Sequence, residues 1–171
     1  MGIIRLRTIC MAAASAIAIL AAGVTSAFAQ DAAERGEYLV TIAGCGDCHT
    51  PGYFMGKPDM AHPLSGSEVG FEVPGMGVFY GANLTPDPTT GIGDWSEDDI
   101  VTALRTGKRP DGRELAPIMP WRNLSALSDE DAYAIAAYLK SLEPVENDVL
   151  GPFGPDEQSP GLVMKIVAPA N

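Results

Sequence analysis

Three stretches of this chain carry a helical spacing of apolar residues, and a long run without periodicity separates the first from the other two. In residues 31–43, Tyr38, Leu39 and Ile42 fall on one face, with Asp31 placed to cap and Glu34 three residues on. In residues 96–107, Ile100, Ala103 and Leu104 form a stripe. Ser96 and Asp99 make a capping pair there, acidic residues fill the first turn, and Gly107 stops the helix. Residues 128–142 repeat that grammar: Ser128 caps, Lys140 sits in the last turn, and Ala132, Ile135, Ala136 and Leu139 share a face. The small alanines allow another helix to approach closely, and Gly36 in the first helix is the matching small position.

Between residues 50 and 95 the chain is crowded with Gly, Pro, Asn and Asp. Phe71-Glu72-Val73 and Val78-Phe79-Tyr80 flank Pro74-Gly75-Met76-Gly77, which predicts a small hairpin. A loop of this length in a compact domain needs something to order it. Residues 143–171 are again rich in Pro and Gly, and the pattern leaves their placement open.

What orders the loop is written just before it, in Cys45-Gly46-Asp47-Cys48-His49. A C-x-x-C-H run is the spacing for covalent haem attachment. The two thiols each add to one vinyl group of a porphyrin, and the histidine supplies an imidazole to its iron. Zinc, thiol redox chemistry and a structural disulfide are the competing readings of the two cysteines. A closed zinc site lacks a good fourth ligand, because only His62 is at hand. A thioredoxin-like site calls for a strand before the motif and a long helix after it, whereas Thr50-Pro51-Gly52 breaks structure here.

The second axial ligand decides whether such an iron carries electrons or binds a small molecule. His62 lies only 13 residues after His49, in a loop with Pro58 and Pro63. Met55, Met60 and Met76 lie in the loop after the motif, and Met164 in the tail. Met119 is the preferred candidate. It sits in Leu115-Ala116-Pro117-Ile118-Met119-Pro120-Trp121, where two prolines restrict the backbone of an extended strap. Trp95 and Trp121 offer indole donors, and Arg105, Arg113 and Arg122 offer charge, toward the haem propionates, with Arg122 ranked first for its closeness to Met119.

The amino terminus bears on compartment. Arg5 and Arg7 precede an uncharged stretch from Thr8 to Gln30, which closes with Ala27-Phe28-Ala29. Residues 1–29 therefore read as a signal peptide, with an uncleaved membrane anchor as the alternative. Residues 30–143 then form the functional domain and 144–171 an extension. The segment 1–29 holds two of the 11 basic residues and none of the 22 acidic ones, so its removal takes the formal charge from −11 to −13. Such a surface argues against nucleic acid and anionic lipid, and it favours redox partners with a basic docking face. With no second long apolar run, no stable membrane insertion is expected after cleavage. No paired carboxylates, Ser-His-Asp set or phosphate-binding glycine loop stands out, so an electron-transfer protein is expected rather than an enzyme.

Residues 34–143, with Cys45-Gly46-Asp47-Cys48-His49, Met119 and Ala136-Ala137-Tyr138-Leu139-Lys140, resemble the single-haem class I c-type cytochromes. Asn83-Leu84-Thr85-Pro86-Asp87 and Thr90-Gly91-Ile92-Gly93-Asp94-Trp95-Ser96 are similar to a narrower group, the haem domains in cytochrome subunits of membrane-bound alcohol, gluconate and aldehyde dehydrogenases. The resemblance implies an all-α fold, with three or more helices wrapped around one covalent haem c and long Gly/Pro-rich loops. It also implies the first and last helices crossing. The function expected is periplasmic one-electron transfer by a His49/Met119-ligated haem, from a dehydrogenase or quinol-oxidising complex to a respiratory-chain acceptor. A dedicated subunit of a periplasmic dehydrogenase is the alternative, and a haem enzyme or gas sensor with an open iron the third reading.

Overall fold

The computed structural model describes residues 31–167. The segment expected to be a signal peptide, residues 1–29, lies outside these residues. Helix α1 runs over residues 31–42, and α2 is a single turn, Cys45–His49. A short 3-10 turn follows at Tyr53–Met55. Strands β1 (Val69–Val73) and β2 (Gly77–Tyr80) come next, then α3 (Glu97–Thr106), α4 (Trp121–Leu124), α5 (Asp129–Ser141) and β3 (Leu162–Met164). Among the described residues no helix is long and apolar enough to cross a membrane.

The two strongest helix signals correspond to helices with those caps. Ser96 Oγ accepts from Asp99 N–H at 3.1 Å, and the Asp99 carboxylate accepts from Ser96 N–H at 2.9 Å, a complete capping box on α3. Ser128 Oγ accepts from Asp131 N–H at 3.1 Å at the start of α5. Asp31 does not cap, because residue 31 is already helical.

The crossing of α1 and α5 explains Gly36. A Cβ there would lie 2.0 Å from the Ala134 carbonyl oxygen and 2.6 Å from Tyr138 Cβ. Only a bare Cα lets the two backbones meet, and Ala132, Ala134 and Ala136 are buried on the facing helix. Arg35 spans the crossing to Asp131 at 3.0 Å. Leu39, Val40, Ile100, Val101, Leu104, Ile135 and Leu139 complete a core shared by α1, α3 and α5. Lys140, in the last turn of α5, donates to the carbonyls of Gly93 at 2.6 Å and Trp95 at 2.9 Å, and so holds the approach to α3.

The all-α expectation needs amending, because a three-stranded sheet in the order β2-β1-β3 sits beside the helices. The predicted hairpin forms, pairing Phe71 with Phe79 and Glu72 with Val78. It buries Val69 and Val78 and pairs backbone groups that a loop would have to expose. The third strand comes from the tail. β3 lies parallel to β1 with Gly70 opposite Val163, and Val78 bridges Phe153.

Asn83 and Thr85 anchor the tail's beginning. Asn83 Oδ1 accepts from Thr85 N–H and Oγ–H at 2.9 and 2.7 Å, and Asn83 Nδ2 donates to the Val145 carbonyl at 2.7 Å. Both side chains are buried, so these bonds satisfy groups that would otherwise be costly. Asn147 continues the attachment, donating to the Ser65 carbonyl at 2.8 Å.

Candidate functional site

A largely apolar cavity of about 430 Å³ opens between α2, the segment after β2, α3 and the strap before α4. Cys45, Cys48, His49 and Met119 all line it, although 70 residues separate His49 from Met119 in sequence. Leu84, Trp95, Ile100, Leu104, Ile135 and Leu139 supply much of its surface. The apolar stripes of α3 and α5 thus face this cavity as well as each other.

The turn Cys45–His49 is held from behind by the segment leaving β2. A Cβ on Gly81 would lie 1.6 Å from the Cys48 carbonyl oxygen and 3.5 Å from His49 Cα, so glycine is required for the two chains to touch. At the next residue, His49 Nδ1 meets the Ala82 carbonyl at 2.7 Å. A carbonyl can only accept, so Nδ1 carries the proton and Nε2 keeps its lone pair. Burial pushes the His49 pKa down, against the smaller opposing effect of that hydrogen bond, and the ring is neutral as a metal ligand must be. The His49 carbonyl accepts from Gly66 N–H at 2.8 Å.

The two cysteines are free. Burial, with smaller contributions from Asp47 and Cys48, pushes the Cys45 thiol up to about 11. Burial and Asp47 also raise Cys48. These shifts are opposite to the depressed thiol of a disulfide oxidoreductase. Among the described residues no three His, Cys, Asp or Glu side chains come together as a zinc site needs.

The other axial candidates lie elsewhere. His62 is exposed and pairs with Asp59 at 2.9 Å. Met55, Met60, Met76 and Met164 are exposed, and none lines this cavity. Met119 is half-buried against the core, in a tight strap. Its N–H donates to the Ala116 carbonyl at 3.0 Å, and its own carbonyl accepts from Trp121 N–H at 2.8 Å.

The expectations for the arginines and tryptophans divide. Trp95 and Arg113 line the cavity. Arg105 does not: it reaches Asp129 at 2.6 Å and the Leu127 carbonyl, tying α3 to the approach of α5. Arg122 lies over the Trp121 ring, 4.3 Å from its centroid. Trp121 packs against Gly107. Nearness to Met119 in sequence was therefore a poor guide for Arg122, because the helical turn of α4 directs its side chain elsewhere. Arg109, which sequence reasoning missed, lines the cavity beside Arg113. Its signal was legible in Arg109-Pro110-Asp111-Gly112-Arg113, a turn sequence that brings its two flanking arginines together.

Residues 33–143 match the cytochrome c family. The chain belongs to that family. The family brings with it the class I cytochrome fold and haem c as its cofactor. The donor set fits that group: two protonated thiols, an imidazole with Nε2 available and a thioether, all around one apolar cavity.

This cytochrome c is 37% identical over 138 residues to the cytochrome c subunit of a quinone-dependent alcohol dehydrogenase from Gluconobacter oxydans (strain 621H), covering 77% of the chain and 27% of that protein. It is 40% identical over 110 residues to the gluconate 2-dehydrogenase cytochrome c subunit of Pantoea cypripedii, covering 61% and 22%. Identity to a diheme c-type cytochrome of Cereibacter sphaeroides is 32% over 112 residues, covering 66% and 36%. The chain spans about a quarter of the length of the two dehydrogenase subunits.

Proposed function

We propose that this cytochrome c transfers single electrons in the periplasm as the cytochrome component of a dehydrogenase complex. One haem c is bound through thioethers to Cys45 and Cys48, with His49 and Met119 as its axial ligands. The observation that carries the reading is the convergence of these four side chains on one apolar cavity. When bound, the haem supplies a reversible one-electron couple between ferrous and ferric iron.

The chain's own groups serve that couple in distinct ways. The Ala82 carbonyl holds the His49 ring in one tautomer. The strap around Met119 presents a soft neutral sulfur, which favours the reduced state over bis-histidine ligation. The apolar lining limits water and disfavours the extra charge of the oxidised form. The similarity to dehydrogenase cytochrome subunits supports a dehydrogenase as electron donor. A free carrier passing electrons to a respiratory-chain acceptor is compatible with the same site.

The test is direct. Exported protein from a host competent in haem attachment is expected to keep its pigment through acid-acetone extraction. Reduced wild-type protein is expected to refuse carbon monoxide, where an enzyme or gas sensor with an open iron would bind it. Extractable pigment or ready carbon monoxide binding overturns the assignment. Co-purification with a large dehydrogenase subunit supports the complex, and its absence after gentle extraction favours the free carrier.

A further inference from the structure

Arg109 and Arg113 face each other across the turn they flank. Arg109 N–H donates to the Arg113 carbonyl at 3.0 Å, and Lys108 bridges Glu114 in antiparallel fashion. Both side chains line the cavity. Among the described residues one carboxylate attends them: Asp111 contacts Arg109 Nε at 3.2 Å, and its other oxygen accepts from the Arg113 backbone N–H. Arg113 makes no side-chain ion pair among the described residues. Its pKa is held below the ordinary arginine value, first by burial and then by the neighbouring Arg109 charge.

Two cations are thus brought to the wall of an apolar cavity, in a protein with 22 acidic residues and 11 basic ones. Surface carboxylates were abundant partners, yet among the described residues Asp111 alone pairs with Arg109 and none pairs with the Arg113 side chain. Arg109 Cζ lies over the Trp95 ring, 5.1 Å from the ring centroid, which limits the freedom of the guanidinium. At the root of the same hairpin, the buried Trp121 Nε1 donor has no acceptor among the described residues. The two guanidinium groups share a single carboxylate among the described residues, and a planar fork suits a carboxylate.

We propose, resting on the haem reading above, that Arg109 and Arg113 are positioning residues forming a paired clamp for the two porphyrin carboxylates. The clamp sets the ring's in-plane orientation between His49 and Met119. It also places positive charge beside the redox centre, which opposes formation of the more positive oxidised state.

Spectroelectrochemical titration of the attached holoprotein tests this. Arg109→Gln and Arg113→Gln are each expected to raise the oxidised-to-reduced ratio about tenfold at a fixed potential, a fall of about 59 mV for one electron. Arg122→Gln removes the same charge outside the cavity and is expected to change the ratio no more than about twofold. The clamp is refuted if the two cavity variants move no further than Arg122→Gln. If the glutamine variants do not accumulate, resonance Raman spectra of the wild type carry the test. Carboxylate bending bands typical of hydrogen-bonded propionates support the clamp, and bands of freely solvated propionates refute it. Wild-type pigment that extracts into acid-acetone would instead bring down the covalent-haem reading, and the clamp with it.

Discussion

The two sides of the cavity are built in different ways. Around His49 the chain is clamped by distant segments: Gly81 presses on the Cys48 carbonyl, Ala82 accepts from the ring, and Gly66 donates to the His49 carbonyl. Around Met119 the backbone bonds are local, from Met119 to Ala116 and from Trp121 to Met119, and Pro117 and Ile118 stand exposed. One long-range tie anchors that strap, from Leu115 N–H to the Gly107 carbonyl at 2.7 Å. The contrast teaches that His49 is placed by tertiary packing and Met119 by a stiff, short piece of chain. Damage to the first side is expected to spread through the fold, and damage to the second to stay at the site.

Gly81→Ala gives the largest expected effect. A Cβ 1.6 Å from a backbone oxygen forces two segments apart. Overpacking typically costs 1–3 kcal/mol, and displacement of backbone puts the loss above about 3 kcal/mol. Little pigmented protein is expected to accumulate, and denaturant unfolding of what does would measure the loss. Near-wild-type stability would show that the His49 side yields easily.

Met119→Ala comes next. The haem is expected to stay attached, while the reduced protein gains carbon monoxide binding and the midpoint potential falls. Stability drops by about 2 kcal/mol, the low end for removing a methionine that is only half-buried. Unchanged spectra with no carbon monoxide binding would remove Met119 from the site.

Ser96→Ala probes α3, a wall of the cavity that carries neither His49 nor Met119. Loss of the capping box is expected to cost about 1 kcal/mol with the absorption spectrum unchanged. The effect carries a pH dependence. The Asp99 carboxyl is held below its usual range, first by the Ser96 hydroxyl and then by the Ser96 backbone N–H. Its contribution is present above an unfolded pKa of about 4 and is lost as pH falls through the lower folded value. Thermal melts of wild type and variant are therefore expected to draw closer in acid, with the bond from Asp99 N–H to Ser96 Oγ still separating them.

Pro117→Ala is the smallest change, about 0.5 kcal/mol, acting mainly through the freedom of the unfolded strap. A loss several times larger, read by the same melts, would mean that the strap is held by more than its local stiffness.

Much of this was legible without coordinates where local rules operate. The caps at Ser96 and Ser128, the stop at Gly107 and the hairpin around Pro74-Gly75 depend on neighbours a few residues away. Gly36 was readable because the alanines of α5 offered a matching surface. The arginines were harder. Arg105 and Arg122 share the chemistry of Arg109 and Arg113, and only the packing of α3 and α4 directs the first two away from the cavity. Gly81 gave no signal, since nothing in one sequence says which of its 19 glycines has another backbone against it.

The attachment run, with thiols and imidazole at fixed spacing, specified a cofactor chemistry, because ligand identity and short-range geometry are properties of consecutive residues. Which nitrogen of His49 stays free, that Met119 lines the same cavity and where the tail lies required the folded chain. Those answers depend on contacts such as Ala82 with His49 and Asn83 with Val145, 33 and 62 residues apart. Pairings at that distance are selected by burial and backbone hydrogen bonding in three dimensions, and the periodicity of a single chain does not encode them.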